Sequence, residues 1–139
     1  MILGERVRGA QVRALIAKYG GNIEAAAAGS GVDPGLIRGI IYEEQTHLLP
    51  GEGLAEQYGV GNTVGLGQVS VGLHGFSRAQ LLDPATNIQA VATHLSYLQG
   101  QPLIAPNAPL ASLATSYNCG SCTAISAYGR RVVFYRSGF

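Results

Sequence analysis

The stretch VDPGLIRGIIYEEQTH, residues 32–47, decides how the chain is expected to fold and where its chemistry is expected to lie. Asp33-Pro34 is typical of a helix start, because aspartate caps free N–H groups and proline fits the first helical position. An apolar stripe follows at helical spacing, formed by Leu36, Ile37, Ile40 and Ile41. The stretch therefore predicts an amphipathic helix that packs this stripe into a core.

Two adjacent glutamates end this predicted helix, and the helical phase gives them different directions. Glu44 falls near the centre of the apolar stripe, whereas Glu43 lies about a quarter-turn away and is expected to face solvent. A carboxylate buried without a partner has a raised pKa, which keeps a proton available near neutral pH for general acid catalysis. In the alternative, the helix ends near Tyr42 and Glu44 lies on a frayed last turn in water.

The rest of the chain predicts further helices around an irregular middle. Val12, Leu15, Ile16 and Tyr19 recur at helical spacing before Gly20-Gly21, and Asn22 is expected to start a short alanine-rich turn that stops at residues 29–31. Asp83-Pro84 repeats the helix-start signal, and one more helix is expected from Leu110 to Tyr117.

Glycine is concentrated in residues 50–75, which favours turns and short strands over a long helix. The predicted fold class is mainly α (α+β), with helices around a small glycine-rich β region. The length of 139 residues predicts a single domain over residues 1–139.

The composition excludes several classes of protein. Nine Lys and Arg against eight Asp and Glu give a formal charge of +1, without the basic surplus of a nucleic-acid binder. Hydrophobic residues make up 47% of the chain, too many for a disordered protein. No stretch approaches the roughly 20 apolar residues of a membrane span. The N-terminus lacks the apolar core of a signal peptide.

The two cysteines, Cys119 and Cys122, form one C-x-x-C segment. Three states fit it: two free thiols, a local disulfide, which export would favour, or a zinc site completed by two of His47, His74 and His94. No second ligand pair has the H-x₃₋₅-H spacing of common zinc sites, so no metal is expected.

Five segments occur in the order found in a known enzyme family. They are VDPGLIRGIIYEEQTH (32–47), TVGLGQVS (63–70), LLDPATNIQAVATHLSYL (81–98), SYNCG (116–120) and YGRRVVFY (128–135). Together, over about residues 32–135, they resemble the catalytic domain of lytic transglycosylases in the goose-type lysozyme superfamily. The resemblance implies a lysozyme-like fold, with residues 1–31 as an N-terminal helical segment. Gln45, Gly67 and Cys119 stand where the family usually has Ser, Met and Ala.

The resemblance also implies roles for individual residues. Glu44 matches the family's catalytic glutamate, the same residue that the helical phase selects. Residues implied to bind the glycan are Gly65, Gln68, Tyr117, Asn118 and Tyr128. Each also has an ordinary structural interpretation, as a turn, a loop bridge, a core residue or a helix end.

The implied reaction cleaves the MurNAc–GlcNAc bond of peptidoglycan with one glutamate and no cofactor, and gives a 1,6-anhydro sugar. The nearest alternative is a hydrolytic muramidase, which needs a second carboxylate; Glu52 and Glu56 are the candidates. More remote alternatives are a peptidoglycan-binding module without catalysis and a helix-turn-helix DNA binder over residues 23–41, in which only Arg38 offers a positive charge on the second helix.

The expected partners are peptidoglycan glycan strands, outside the cytoplasm. With no visible signal peptide, export by a secretion machine, release at phage lysis or membership of a larger chain would bring the domain to the periplasm or cell wall. A cognate inhibitor is a further candidate partner.

Overall fold

A computed structural model describes residues 3–48, 61–102, 104–105 and 107–137, and these are mainly helical with one small sheet, as the sequence predicts. The helices are α1 (Leu3–Lys18), α2 (Gly20–Ser30), α3 (Pro34–Thr46), α4 (Arg78–Leu82), α5 (Pro84–Gln99), α6 (Leu110–Asn118) and α7 (Ala127–Arg136), with a 3₁₀ turn at Leu73–Gly75. Strands β1 (Thr63–Val64) and β2 (Val69–Ser70) pair antiparallel, Val64 opposite Val69. None of the described helices has the length and apolar composition needed to cross a bilayer.

Helix α3 lies at the centre of the fold, packed against α1, α2 and α7. Its predicted start is confirmed, because the Asp33 carboxylate accepts a hydrogen bond from the Gly35 amide at 2.9 Å. The same carboxylate accepts from Arg136 Nη2 at 2.6 Å, which ties the start of α3 to the end of α7. The apolar stripe of α3 is fully buried, and each large side chain in it contributes roughly 1.5–3 kcal/mol through burial.

Helix α2 differs from its predicted form. The expectation of a short turn starting at Asn22 is wrong, because an 11-residue helix begins two residues earlier, at Gly20. No side chain caps this start. Ile23, Ala26 and Ala27 are buried, so packing onto the core stabilises the helix where the local cap signal is weak.

Helix α5 begins at Pro84 directly after the Asp83 cap, as predicted, and forms the other side of the core. Asp83 Oδ2 accepts from the Thr86 amide at 2.9 Å and from the Thr86 hydroxyl at 2.8 Å. The buried face contains Ile88, Val91, Ala92, Leu95 and Leu98. Asn87 lies on the same face and is fully buried.

The connection from α6 to α7 is fixed at two places. Cys119 and Cys122 form a disulfide directly after α6, which is one of the three states that fit the sequence. Thr115 Oγ1 accepts from the Ser126 amide at 3.1 Å, and the Ser126 hydroxyl in turn caps α7 by accepting from the Gly129 amide at 3.1 Å. The two helices are therefore held together independently of the disulfide.

Candidate active site

The end of α3 carries two carboxylates in different surroundings. The expectation that Glu43 faces solvent is wrong, because only 2% of its surface is exposed. Arg131 on α7 donates to Glu43 Oε1 from Nε at 2.8 Å and from Nη2 at 2.6 Å. Helix α7 packs on this flank of α3, and the phase of α3 alone carries no information about that neighbour.

Glu44 lies partly buried without a cationic side chain hydrogen-bonded to it among the described residues. The Tyr128 hydroxyl donates to Glu44 Oε2 at 3.3 Å. Burial is the main cause that raises the pKa of Glu44 to about 7; the Tyr128 hydrogen bond lowers it and the nearby charge of Glu43 raises it. A large fraction of Glu44 is therefore protonated near neutral pH, as the helical phase predicts for a buried acid.

A tight loop, residues 65–68, faces the end of α3. Gln45, the residue after Glu44, donates from Nε2 to the Gly65 and Leu66 carbonyls at 2.9 and 3.0 Å. Gln68 donates from its own Nε2 to the Gly65 carbonyl at 3.0 Å, so it bridges the loop backbone. Gly65 adopts φ +79°, and a Cβ there would overlap the Asn87 side chain and the Leu81 carbonyl. This position therefore needs glycine.

Asn87, on the buried face of α5, also holds this loop. Its Oδ1 accepts from the Gly67 amide at 2.9 Å, and its Nδ2 donates to the Val64 and Leu81 carbonyls at 2.8 and 3.0 Å. One buried amide thus satisfies three backbone groups from β1, the loop and α4, which fixes the loop against the core.

Tyr117 holds the far side of the loop, since its hydroxyl donates to the Gly67 carbonyl at 2.7 Å. Burial raises the pKa of Tyr117, and the charge of Glu44 raises it further, so the phenol stays protonated. Asn118, the last residue of α6, is exposed. Glu52 and Glu56 lie outside the described residues.

A cavity of about 390 Å³ opens between α5 and α6 next to Tyr117. Its walls include His94 and Tyr97, and Tyr97 is 51% exposed. His94 Nδ1 lies 2.9 Å from His74 Nε2. Burial and, to a smaller extent, the charge of His74 together lower the pKa of His94 to about 4, so His94 is neutral at pH 7. The cavity combines aromatic faces with neutral polar groups.

Three residues of this site have no assigned role in the sequence interpretation. Asn87 has a visible signal, because it is a polar residue on the apolar face of α5. Gln45 is visible only as a departure from the family pattern. Arg131 has no local signal, since its partner Glu43 is 88 residues away in sequence.

No protein-family model, curated protein or solved structure matches the chain.

Proposed function

We propose that this chain is a peptidoglycan lytic transglycosylase with a lysozyme-like fold, in which Glu44 is the catalytic acid. The observation that carries the proposal is the environment of Glu44: a partly buried carboxyl at a helix end, with a pKa of about 7, beside a tyrosine hydroxyl. A general acid works best when its pKa is near the working pH. The order of the five sequence segments supports the same assignment.

The reaction needs one carboxyl group, which acts first as an acid and then as a base. The Glu44 carboxylic acid donates its proton to the glycosidic oxygen as the bond from that oxygen to C1 of MurNAc breaks. The resulting carboxylate accepts the proton of the MurNAc C6 hydroxyl while O6 bonds to C1. The products are a 1,6-anhydro-MurNAc end and a free GlcNAc hydroxyl, Glu44 is protonated again, and no water is consumed.

The other described acids support a mechanism with a single carboxylate. Glycosidases that hydrolyse generally need a second carboxylate as a base or nucleophile. Each of the other described acidic side chains is held by a cap or an ion pair: Glu24 by Arg38, Asp33 by Gly35 and Arg136, Glu43 by Arg131, and Asp83 by Thr86. The proposed reaction uses none of these four and needs Glu44 alone.

The cavity beside Tyr117 supports the proposal of a neutral sugar substrate. Its volume lies in the range of ordinary ligand pockets, and aromatic faces with polar edges suit a pyranose ring, which has both apolar and hydroxyl-bearing surfaces. We assign glycan contact to Tyr117, Gln68 and Asn118 as part of the proposal, with Tyr128 placed against the acid and Gly65 shaping the loop.

The test is digestion of purified peptidoglycan, followed by mass spectrometry of the products. The wild-type chain should release anhydro-muropeptides, each lighter by one water than the hydrolysis product. Glu44→Gln keeps the shape of the side chain but has no transferable proton, so activity should fall by roughly 10²–10⁴-fold. Glu43→Gln is the matched control one residue away and should remain active.

Two results would contradict the proposal. An active Glu44→Gln variant with an inactive but folded Glu43→Gln variant would place the acid elsewhere. Products with only reducing-end sugars, together with loss of activity in Glu52→Gln or Glu56→Gln, would indicate a hydrolytic muramidase instead.

A further inference from the structure

Gln45 connects the helix that carries the proposed acid to the loop that faces it. Its Nε2 donates to two successive carbonyls, Gly65 at 2.9 Å and Leu66 at 3.0 Å. These residues are 20 and 21 positions away in sequence, so the contact is tertiary. Both N–H bonds of the primary amide are used, and a shorter hydroxyl side chain has one donor only.

Several side chains hold the loop, and among the hydrogen bonds between described residues, the one from the helix of the acid is made by Gln45. Asn87 on α5 binds the Gly67 amide, Tyr117 on α6 binds the Gly67 carbonyl, and Gln68 bonds within the loop. Removing Gln45 would leave the loop attached to α5 and α6 but would release it from α3. The distance between the Glu44 carboxyl and the loop would then be fixed less tightly.

The backbone of Gln45 is itself anchored. Arg8 on α1 donates from Nε to the Gln45 carbonyl at 2.9 Å, and a cation at this end of α3 is also favourable for the helix dipole. The Thr46 hydroxyl donates to the Tyr42 carbonyl at 2.7 Å within the same turn. The last turn of α3 is therefore a rigid support from which the Gln45 amide reaches the loop.

We propose that Gln45 is a positioning residue, whose amide sets the distance between the Glu44 carboxyl and the sugar held against the loop at residues 65–68. The proposal rests on the proposed function, because it concerns the geometry of the same acid. Gln45 does not touch the reacting atoms. Its effect should appear in the rate of the chemical step more than in substrate affinity, because a small displacement of an acid can reduce the rate by up to about 10²-fold.

Two variants separate positioning from a general structural role. Gln45→Met keeps the length and volume of the side chain but has no donor. Gln45→Glu keeps the length but, when ionised, places a carboxylate against two carbonyl oxygens; when protonated, it regains one donor. Gln89→Met makes the same change on the exposed face of α5 and is the matched control.

We expect Gln45→Met to reduce kcat by roughly 10–100-fold, with little change in KM and a native circular-dichroism spectrum. Hydrogen exchange at the Gln68 amide, which donates to the Gly65 carbonyl, should become faster, while exchange in α5 should be unchanged. For Gln45→Glu, the ratio of its kcat to the wild-type value should rise as the pH falls. Gln89→Met should match the wild type in its steady-state kinetics, its circular-dichroism spectrum and its hydrogen exchange.

Unchanged kcat in Gln45→Met, or a kcat ratio for Gln45→Glu that does not vary with pH, would overturn the positioning role. An inactive Glu44→Gln variant beside a fully active Gln45→Met variant would contradict this inference alone. Activity in Glu44→Gln would contradict the proposed function itself, whatever the Gln45 variants do.

Discussion

At the scale of single residues, two neighbouring carboxylates share a helix end and differ in what surrounds them. Glu43 is buried and paired with Arg131, whose side chain is 43% exposed. Glu44 is partly buried and has a tyrosine hydroxyl in place of a cation. The Tyr128 hydrogen bond lowers the pKa of Glu44, whereas the charge of Glu43 raises it. Variants of the two residues should therefore move this pKa in opposite directions.

Tyr128→Phe should move the alkaline limb of the pH–activity profile to higher pH. The Tyr128 hydroxyl stabilises the ionised form of Glu44, so its removal raises the pKa of Glu44 further above its ordinary value. The measurement is kcat against pH for both proteins. A limb that moves to lower pH would mean that the hydroxyl acts on a different group.

Glu43→Gln should move the same limb in the opposite direction. The negative charge of Glu43 raises the pKa of Glu44, so a neutral amide at 43 should lower that pKa. The loss of the buried ion pair should also reduce the free energy of unfolding, by roughly 1–3 kcal/mol. A shared direction for Glu43→Gln and Tyr128→Phe in the pH profiles would contradict this electrostatic account.

At the scale of elements, helix α5 contributes to the site through one buried amide. The side chain of Asn87 hydrogen-bonds three backbone groups, the Gly67 amide and the Val64 and Leu81 carbonyls. Its replacement by an apolar residue removes these three hydrogen bonds from the core, and a buried backbone group that loses its partner costs on the order of 1–3 kcal/mol.

Asn87→Ala should therefore reduce the free energy of unfolding by roughly 3 kcal/mol or more. Urea unfolding followed by circular dichroism measures the loss. Asn22→Ala, on the exposed side of α2, is the control and should change stability by less than about 0.5 kcal/mol. Similar losses in the two variants would show that the buried amide does not support the loop.

The starts of α3 and α5 and the partial burial of Glu44 could be predicted from sequence for a physical reason. Asp33-Pro34 and Asp83-Pro84 act on their own next turn, and the apolar stripe of α3 is a property of one helix. The burial of Glu43 depends on α7 packing against α3, and the support from Gln45 depends on where a loop 20 residues away returns. Single-helix patterns contain neither contact, so the direction of Glu43 was predicted wrongly and the role of Gln45 was not predicted.

At the scale of the whole molecule, the raised pKa of Glu44 links stability to pH. The ordinary pKa is 4.5 and the folded value is about 7, so between these values the folded chain holds a proton that the unfolded chain has lost. The resulting stabilisation is complete below pH 4.5 and is lost as the pH rises through 7, in total about 1–3 kcal/mol.

Glu44→Gln should become more stable than the wild type as the pH rises from 5 to 8, because the amide has no charge to bury. The stability difference between the two proteins, measured by urea unfolding at both values, should grow by about 1–3 kcal/mol. A difference that is the same at pH 5 and pH 8 would contradict the burial of the Glu44 carboxyl.

The disulfide should contribute little to global stability. It closes a loop of only four residues, Cys119–Cys122, and so restricts the unfolded chain by about 2 kcal/mol or less. Thr115 and Ser126 hold α6 to α7 when the bond is absent. Cys119→Ser/Cys122→Ser should fold and lose a few degrees in Tm. Titration that finds two reactive thiols in the non-reduced protein would show that the bond is absent from that preparation.

The close packing at Gly67 constrains how this sequence can diverge. A Cβ at this position would overlap Val91 and lie 3.0 Å from the Tyr117 hydroxyl oxygen. A larger residue at 67 is therefore acceptable only after position 91 has become smaller and Tyr117 has moved, and contacting residues of this kind show non-additive effects. Among descendants of this chain, positions 67, 91 and 117 should therefore change together. The order of the changes should also matter, because a larger residue at 67 fits only after the residue at 91 has become smaller.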